Sequence, residues 1–207
     1  MSAPDATVDE VVVLGDGREL VVARPRDPEA LLDDERFTAE DEFIPYWAEL
    51  WPSGNALARD MARRSLGGRS VLELGCGLGL GAIGAGLAGA RATATDWAPE
   101  AVAAATANAA RNDVAVTGLV ADLFHPDALL DAGPFDLVIG ADVLYEERLV
   151  DAMLDLLPKL TREVIITDPG RLTSEHFLER CDAQWERTAH EDQRVMVHHL
   201  RLRPTTA

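Results

Sequence analysis

In the segment Ser70-Val71-Leu72-Glu73-Leu74-Gly75-Cys76-Gly77-Leu78-Gly79, every second residue from Gly75 to Gly79 is glycine, and no other stretch limits the fold as much. The apolar run Val71 to Leu74 has the length of a buried strand. Beyond the glycines an Ala/Gly/Leu stretch continues to Gly89 with helix-like length. Strand, glycine loop and helix follow in that order. Glycines at such a turn let the backbone bend sharply and let a ligand approach without meeting a Cβ. The helix behind them turns its free N–H groups and positive dipole end toward whatever sits there. The segment reads as a cofactor cradle.

Two cofactors compete for it. Gly79-Leu80-Gly81-Ala82-Ile83-Gly84 matches the dinucleotide pattern G-x-G-x-x-G, and Asp96 lies near the spacing of a ribose-binding acid. That pattern should open directly from the strand, yet Gly79 comes five residues after Leu74, where the helix should already have begun. The segment that does open from the strand is Glu73-x-Gly75-x-Gly77-x-Gly79.

Around the cradle, strands and helices alternate. Val8 to Leu14 and Glu19 to Ala23 flank Gly15-Asp16-Gly17-Arg18, which fits a hairpin turn. Leu31 to Asp41 is acidic and reads as a short helix or a flap. Pro45-Tyr46-Trp47-Ala48-Glu49-Leu50-Trp51-Pro52-Ser53-Gly54 holds two of the four tryptophans. It precedes a helix-like run from Asn55 to Leu66 that Ser53 or Gly54 can cap. Its aromatics either pack the N-terminal segment onto the core or face a ligand. Arg91 to Thr95 reads as a strand ending in Asp96-Trp97, where Asp96 is placed to bind a ribose and can also cap the helix from Pro99 to Ala110. Val114 to Ala121 is a strand ending at Asp122-Leu123. Phe135 to Gly140 is a continuous apolar strand of the kind buried in a parallel sheet, and it ends at Ala141-Asp142-Val143-Leu144-Tyr145. A helix from Glu147 to Leu160 is expected to break late, at Pro158. Glu163 to Thr167 is a strand ending at Asp168-Pro169-Gly170-Arg171, Thr173 to Cys181 a helix, and Gln184 to Thr188 with Arg194 to Leu202 an antiparallel pair. The expected fold is α/β. It is a doubly wound, mostly parallel, seven-stranded Rossmann-like sheet with a C-terminal antiparallel hairpin and a short N-terminal β-hairpin extension. Ligands of such sheets bind at the C-terminal strand ends. Residues 1–207 read as a single domain, with residues 1–54 a hairpin and covering segment and residues 55–207 the core.

The strand ends Glu73-x-Gly75-x-Gly77-x-Gly79, Asp96, Asp122-Leu123 and Asp142-x-x-Tyr145 together resemble the class I, seven-strand S-adenosylmethionine (SAM) methyltransferases over nearly the whole chain. The tryptophan-proline segment and D-x-x-Y are similar to those of the protein lysine methyltransferase group. The resemblance implies SAM as cofactor, S-adenosylhomocysteine as product and a protein lysine as acceptor. By position it implies that Trp51 packs against SAM, that Gly75, Gly77 and Gly79 cradle its methionine end, and that Glu73 orients it through hydrogen bonds to the loop or to water. Asp96 takes the ribose, Asp122 and Leu123 the adenine, and Ala141 lines the cofactor near the sulfonium. Trp97 is bulkier than the aliphatic residue common there and is expected to stack on adenine. Asp142 and Tyr145 flank the acceptor nitrogen as the catalytic pair; Asp142 can instead cap the following helix, and the two roles are compatible. A lysine amine, with a pKa of about 10.4, must be neutral to attack. A nearby carboxylate favours the ammonium form, so Asp142 is expected to accept one amine N–H and aim the lone pair. Enzymes of this fold that methylate amide or base nitrogens typically carry Asn/Asp-Pro-Pro-Tyr/Phe at this strand end, and these prolines are missing from Asp142-Val143-Leu144-Tyr145. Arg171 is expected either to close a turn or to bind an acidic group of the partner.

Bulk properties agree. Composition is 47% hydrophobic and 27% charged over 207 residues, as in soluble globular proteins. A net charge of -17 argues against nucleic acid as partner and favours a basic or lysine-bearing one. No apolar run reaches the roughly 18 residues of a membrane span, and the start, Met1-Ser2-Ala3-Pro4-Asp5, lacks signal-peptide features, so cytoplasm is expected. The two cysteines, Cys76 and Cys181, make neither a disulfide framework nor a zinc site, and no metal is expected. His198 and His199 on one strand point to opposite faces. The readings kept open beside a lysine methyltransferase are a small-molecule amine methyltransferase, a non-catalytic SAM-binding adaptor and a dinucleotide oxidoreductase.

Overall fold

The computed structural model describes residues 7–33 and 46–204. β1 (Thr7–Val13) and β2 (Glu19–Pro25) form an antiparallel hairpin. Its inner face, Val12, Leu20 and Val22, packs on Leu78, Leu80 and Ile83. A 3-10 turn spans Pro28–Asp33, and the rest of the acidic Leu31 to Asp41 stretch lies outside the described residues, as does Pro45. A second 3-10 turn, Tyr46–Ala48, leads into α1 (Pro52–Ala62). There follow β3 (Ser70–Leu74), α2 (Leu80–Leu87), β4 (Arg91–Asp96), α3 (Pro99–Arg111), β5 (Val116–Val120), α4 (Asp127–Ala132), β6 (Leu137–Ala141), α5 (Glu147–Leu160), β7 (Glu163–Asp168), α6 (Leu172–Cys181), β8 (Trp185–Asp192) and β9 (Val195–Leu202).

The seven-stranded sheet has the order β5-β4-β3-β6-β7-β9-β8. The strands from β3 to β7 are parallel, and β9 lies antiparallel between β7 and β8. The chain winds outward from β3 to β5, then crosses back to β6 on the other side. The C-terminal ends of β3 and β6 therefore flank the topological switch point, where open α/β sheets bind ligands. Alternation along β3 feeds both layers: Val71 enters the core under α1 and α2, while Leu72 and Leu74 enter the core under α5 and α6. Glu73, on the α2 side, is the buried exception.

The hairpin is fixed to α3 by two asparagines one helical turn apart. Asn112 accepts the Val21 N–H at 2.9 Å and donates to the Val21 carbonyl at 2.9 Å. Asn108 accepts the Ala23 N–H at 2.8 Å and donates to the Ala23 carbonyl at 3.1 Å. The two amides thus satisfy the edge of β2 as a neighbouring strand would.

Several local expectations are corrected. The cap of α1 is Trp51, not Ser53 or Gly54, and Pro52 takes the first helical position, where its fixed φ and missing N–H fit. α1 ends at Ala62 rather than Leu66. Pro158 does not break α5, which continues to Leu160 with Leu156, Leu157 and Leu160 buried. Core packing of these leucines holds the last turn despite the missing N–H. β5 is shorter than expected, and α4 was not foreseen. Among the described residues no helix is long and apolar enough to cross a membrane.

Candidate active site

A cavity of about 610 Å³ opens at the C-terminal ends of β3, β4 and β6 and against the loop after β5. Its floor is the glycine loop. Gly75 (φ +59°) and Gly77 (φ +48°) line it in left-handed backbone that disfavours side chains. A Cβ on residue 75 would lie 2.9 Å from Val143 Cγ1. Gly79 does not line the cavity: it is the left-handed cap of α2, and a Cβ there would lie 2.7 Å from that of Ala105 on α3.

Glu73 points from β3 to the start of α2. Its Oε1 accepts the Gly81 N–H at 3.0 Å and its Oε2 the Ala82 N–H at 2.8 Å, which satisfies two of the free donors of the helix. Burial pushes its carboxyl up to about 8, against the pull of those two donors. Asp96 reaches back from β4: Oδ2 accepts the Gly77 N–H and Oδ1 the Ala98 N–H, each at 3.1 Å. It does not cap α3, whose cap is Ala98. Burial raises the Asp96 carboxyl as well. Two buried acids thus hold the cradle, one at each end.

The pattern Gly79-x-Gly81-x-x-Gly84 has a packing explanation. Gly81 and Gly84 lie inside α2 and face α1. A Cβ on residue 81 would meet Leu57 Cδ2 at 2.7 Å, and one on residue 84 the Ala58 carbonyl oxygen at 2.7 Å. The glycines let two helices touch, and the dinucleotide reading loses its motif.

Aromatic side chains form the rim. The Trp51 indole N–H donates to the Tyr46 carbonyl at 2.8 Å. The Tyr46 ring meets Trp51 and Tyr145 edge-on, at centroid distances of 6.0 and 5.6 Å. This chain of rings ties the entry of α1 to the loop after β6. Trp97, 40% exposed, and Leu123 complete the side near β4 and β5. Asp122 lines the cavity too. Its Oδ1 accepts the Phe124 N–H and its Oδ2 faces His125 Nδ1, each at 2.8 Å.

At the end of β6, Ala141, Asp142 and Tyr145 face the same cavity. Asp142 is left-handed (φ +57°), a conformation that aspartate tolerates better than most residues. Its N–H donates to the Thr167 carbonyl at 2.9 Å. It does not cap α5, whose cap is Glu146. Arg171, which the sequence left between a turn and a partner's acid, grips Asp142 with both arms: Nε to Oδ1 at 2.6 Å and Nη2 to Oδ2 at 3.0 Å. Buried Asp168 prepares this by accepting the N–H groups of Gly170 and Arg171 and the Ser174 hydroxyl. The signal for the pair was present, since Asp142 and Arg171 follow the C-terminal ends of two strands that turn out to be neighbours. Burial, with the Glu146 and Asp96 carboxylates, pushes the Tyr145 hydroxyl up to about 12, so it remains a neutral donor. His198 is buried, and His199, on the other face, meets Glu163 at 2.7 Å.

A model of the lysine methyltransferase family matches residues 39–182. The chain belongs to that family. Its relatives include the electron transfer flavoprotein beta subunit lysine methyltransferases of Danio rerio, 38% identical over 134 residues (61% of this chain, 51% of that protein), and Homo sapiens, 37% identical over 139 residues (61% and 50%). The protein N-lysine methyltransferase METTL21A of Danio rerio is 36% identical over 123 residues (55% of each). The chain spans about half the length of the curated relatives it matches. Among solved structures, the Thermus thermophilus 16S rRNA N2 G1207 methyltransferase superposes over 98% of this chain and 52% of its own with a TM-score of 0.71 and 15% identity, a likeness of fold. SAM is the cofactor of this class, and the cavity fits it. Two left-handed glycines leave backbone open to a ligand, a buried carboxylate stands at the end of β4, and aromatic rings cover the rim.

Proposed function

We propose that this protein transfers the methyl group of SAM to the side-chain amine of a lysine in a partner protein. The observation that carries the reading is the convergence of Asp142 and Tyr145 on the cavity floored by Gly75 and Gly77. In this reading Gly75 and Gly77 hold the methionine end of SAM, while Gly79, as the cap of α2, shapes that loop from outside the cavity and Glu73 acts through the start of α2. Asp96 binds the ribose. Asp122, Leu123 and Trp97 bind the adenine, and Trp51 and Ala141 flank the cofactor. Bound SAM supplies a methyl group already activated on a sulfonium. The protein's own work is alignment and exclusion of water. Asp142 accepts one N–H of the acceptor amine and aims its lone pair, Tyr145 assists as a neutral hydroxyl, and solvent takes the proton that the amine loses.

The partner is read as a lysine-bearing protein rather than nucleic acid, in keeping with the net charge of -17. Relatives named for the electron transfer flavoprotein beta subunit make that subunit the first acceptor to test. The chain is read as one catalytic unit working in the cytoplasm, with Tyr46, Trp47, Glu49, Trp51 and Gly54 forming the N-terminal side of the site.

The test incubates the purified protein with methyl-labelled SAM and two fractions of host cytoplasm, one whole and one passed through a filter that retains proteins. Label that survives denaturation and maps to lysine supports the reading and identifies the substrate. Label confined to small molecules replaces it with a small-molecule amine methyltransferase, and binding of SAM with no transfer to either fraction replaces it with an adaptor.

A further inference from the structure

A carboxylate beside the acceptor creates an electrostatic problem. Asp142 alone favours the ammonium form of a neighbouring lysine, and that form has no lone pair with which to attack. Glu49 near the aromatic rim, Asp122 after β5 and Glu146 before α5 add to the problem, whereas burial at the cradle favours the neutral forms of Glu73 and Asp96. Among the described residues lining the cavity, Arg171 is the one basic side chain. It sits on the carboxylate that matters most.

We propose that Arg171 is a positioning residue of the transfer: held on Asp142, its guanidinium offsets the carboxylate's charge, so that the acceptor lysine loses its proton more readily, and fixes the carboxylate that aims the amine. The inference rests on the lysine reading above.

The geometry supports both parts. The fork places one N–H on each carboxylate oxygen, the strong bidentate arrangement that lysine cannot reproduce. A carboxylate offers about four lone-pair sites, so two bonds from Arg171 leave Asp142 able to accept an amine N–H. The fork is also held in advance. The Asp142 N–H is tied to Thr167 on β7 and the Thr173 hydroxyl of α6 to the Leu144 carbonyl, so the loop after β6 is fastened to the elements on both sides of Arg171, whose own N–H is held by Asp168. The other charged groups around the pair are committed or peripheral. The Asp168 oxygens are taken by two N–H groups and the Ser174 hydroxyl, and Glu146 pairs with Arg148 at 2.5 Å. Tyr46 and Tyr145 line the same cavity, and burial keeps the Tyr145 phenol neutral.

The test follows methyl transfer from labelled SAM to purified electron transfer flavoprotein beta subunit, with the label mapped to lysine, from about pH 6 to 10. The quantity read is kcat at saturating acceptor, which reports groups in the bound complex. Arg171→Gln should move the acidic limb of the profile up by about 1 pH unit or more, the size expected for exposing a lysine to an unbalanced carboxylate. Arg171→Lys, which keeps the charge without the fork, should leave the limb near its original place and lower kcat. Asp142→Asn, which leaves the cation unbalanced, should move the limb down, and it carries the test if circular dichroism shows Arg171→Gln unfolded. SAM affinity of each variant is measured by calorimetry and should stay within a few-fold. Rates that fall equally at every pH in Arg171→Gln and Asp142→Asn overturn the inference, because a purely structural role lowers rate without moving the limb. If the unaltered protein labels no lysine of the flavoprotein subunit, the protein that the cytoplasmic labelling identifies replaces it as acceptor, and if no protein lysine is labelled there either, the lysine reading fails first and takes the inference with it.

Discussion

Glu73 Oε1 lies 3.0 Å from the Gly81 backbone nitrogen, and a Cβ on residue 81 would meet the same oxygen at 2.4 Å. The hydrogen bond and the missing side chain are thus a single requirement. Gly81→Ala must push α2 away from Glu73 and from Leu57, an overpacking that costs about 1 to 3 kcal/mol. A lower denaturation midpoint together with weaker SAM binding is the expected outcome. An unchanged midpoint would show that α2 slides freely.

The same carboxylate gives stability a pH dependence. The folded value of Glu73 is raised from 4.5 to about 8, so between these limits the folded chain keeps a proton that the unfolded chain has released. The contribution to stability therefore falls as pH rises from about 4.5 to about 8 and is level above, with a slope of at most about 1.4 kcal/mol per pH unit. Urea unfolding at pH 6 and pH 8 should show a smaller loss for Glu73→Gln than for the unaltered protein. Equal losses would mean that the helix N–H donors keep Glu73 ionised.

Asp96 has one hydrogen bond to each side of the cavity wall and is assigned to the ribose. Asp96→Ala should weaken SAM binding by at least about tenfold, in line with loss of charge-assisted bonds worth roughly 1.5 to 3 kcal/mol. Asp96→Asn, which keeps an acceptor oxygen, should weaken it less. Calorimetric titration with SAM decides; unchanged affinity in Asp96→Ala removes the ribose assignment.

Asn108 is almost fully buried and donates to the carbonyls of both Ala23 and Leu78. Asn108→Asp sets a carboxylate against two acceptors and should destabilise by about 2 kcal/mol or more. The hairpin should loosen first, so limited proteolysis near β1 and β2 ought to speed up before the midpoint for the whole chain moves. Cleavage at the original rate would show that the apolar face alone seats the hairpin.

The sheet was legible because its parallel strands are short apolar or β-branched stretches closed by acids or glycines: Val71 to Leu74, interrupted only by Glu73, before Gly75, Leu137 to Ala141 before Asp142, and the Ala/Thr alternation of Ala92 to Thr95 before Asp96. Those ends also carried the candidate site, since a strand's C-terminal end is where such folds bind. What the sequence hid depends on neighbours distant along the chain. The Asp142–Arg171 pair needs β6 and β7 side by side, and the roles of Gly81 and Gly84 need α1 against α2. Continuation of α5 through Pro158 needs the core contacts of Leu157 and Leu160. The cap of α1 was misplaced for a local reason: Pro52 suits the first helical position better than Ser53 or Gly54 suits the cap, and Trp51 caps with no side-chain hydrogen bond.

The amide ladder on α3 also sets a measure. Four residues of helix rise about 6 Å, and two residues of strand about 6.6 Å, so Asn108 and Asn112 can engage β2 only at every second residue. A slip of one position would turn Leu20 and Val22 toward solvent, and a slip of two in one direction would set Asn108 against Pro25, which has no N–H to give. The hairpin is therefore indexed like a ratchet pawl. The connection after Pro25 can lengthen or shorten without shifting where the hairpin sits, because its seat is cut into the helix that starts just beyond Asp96.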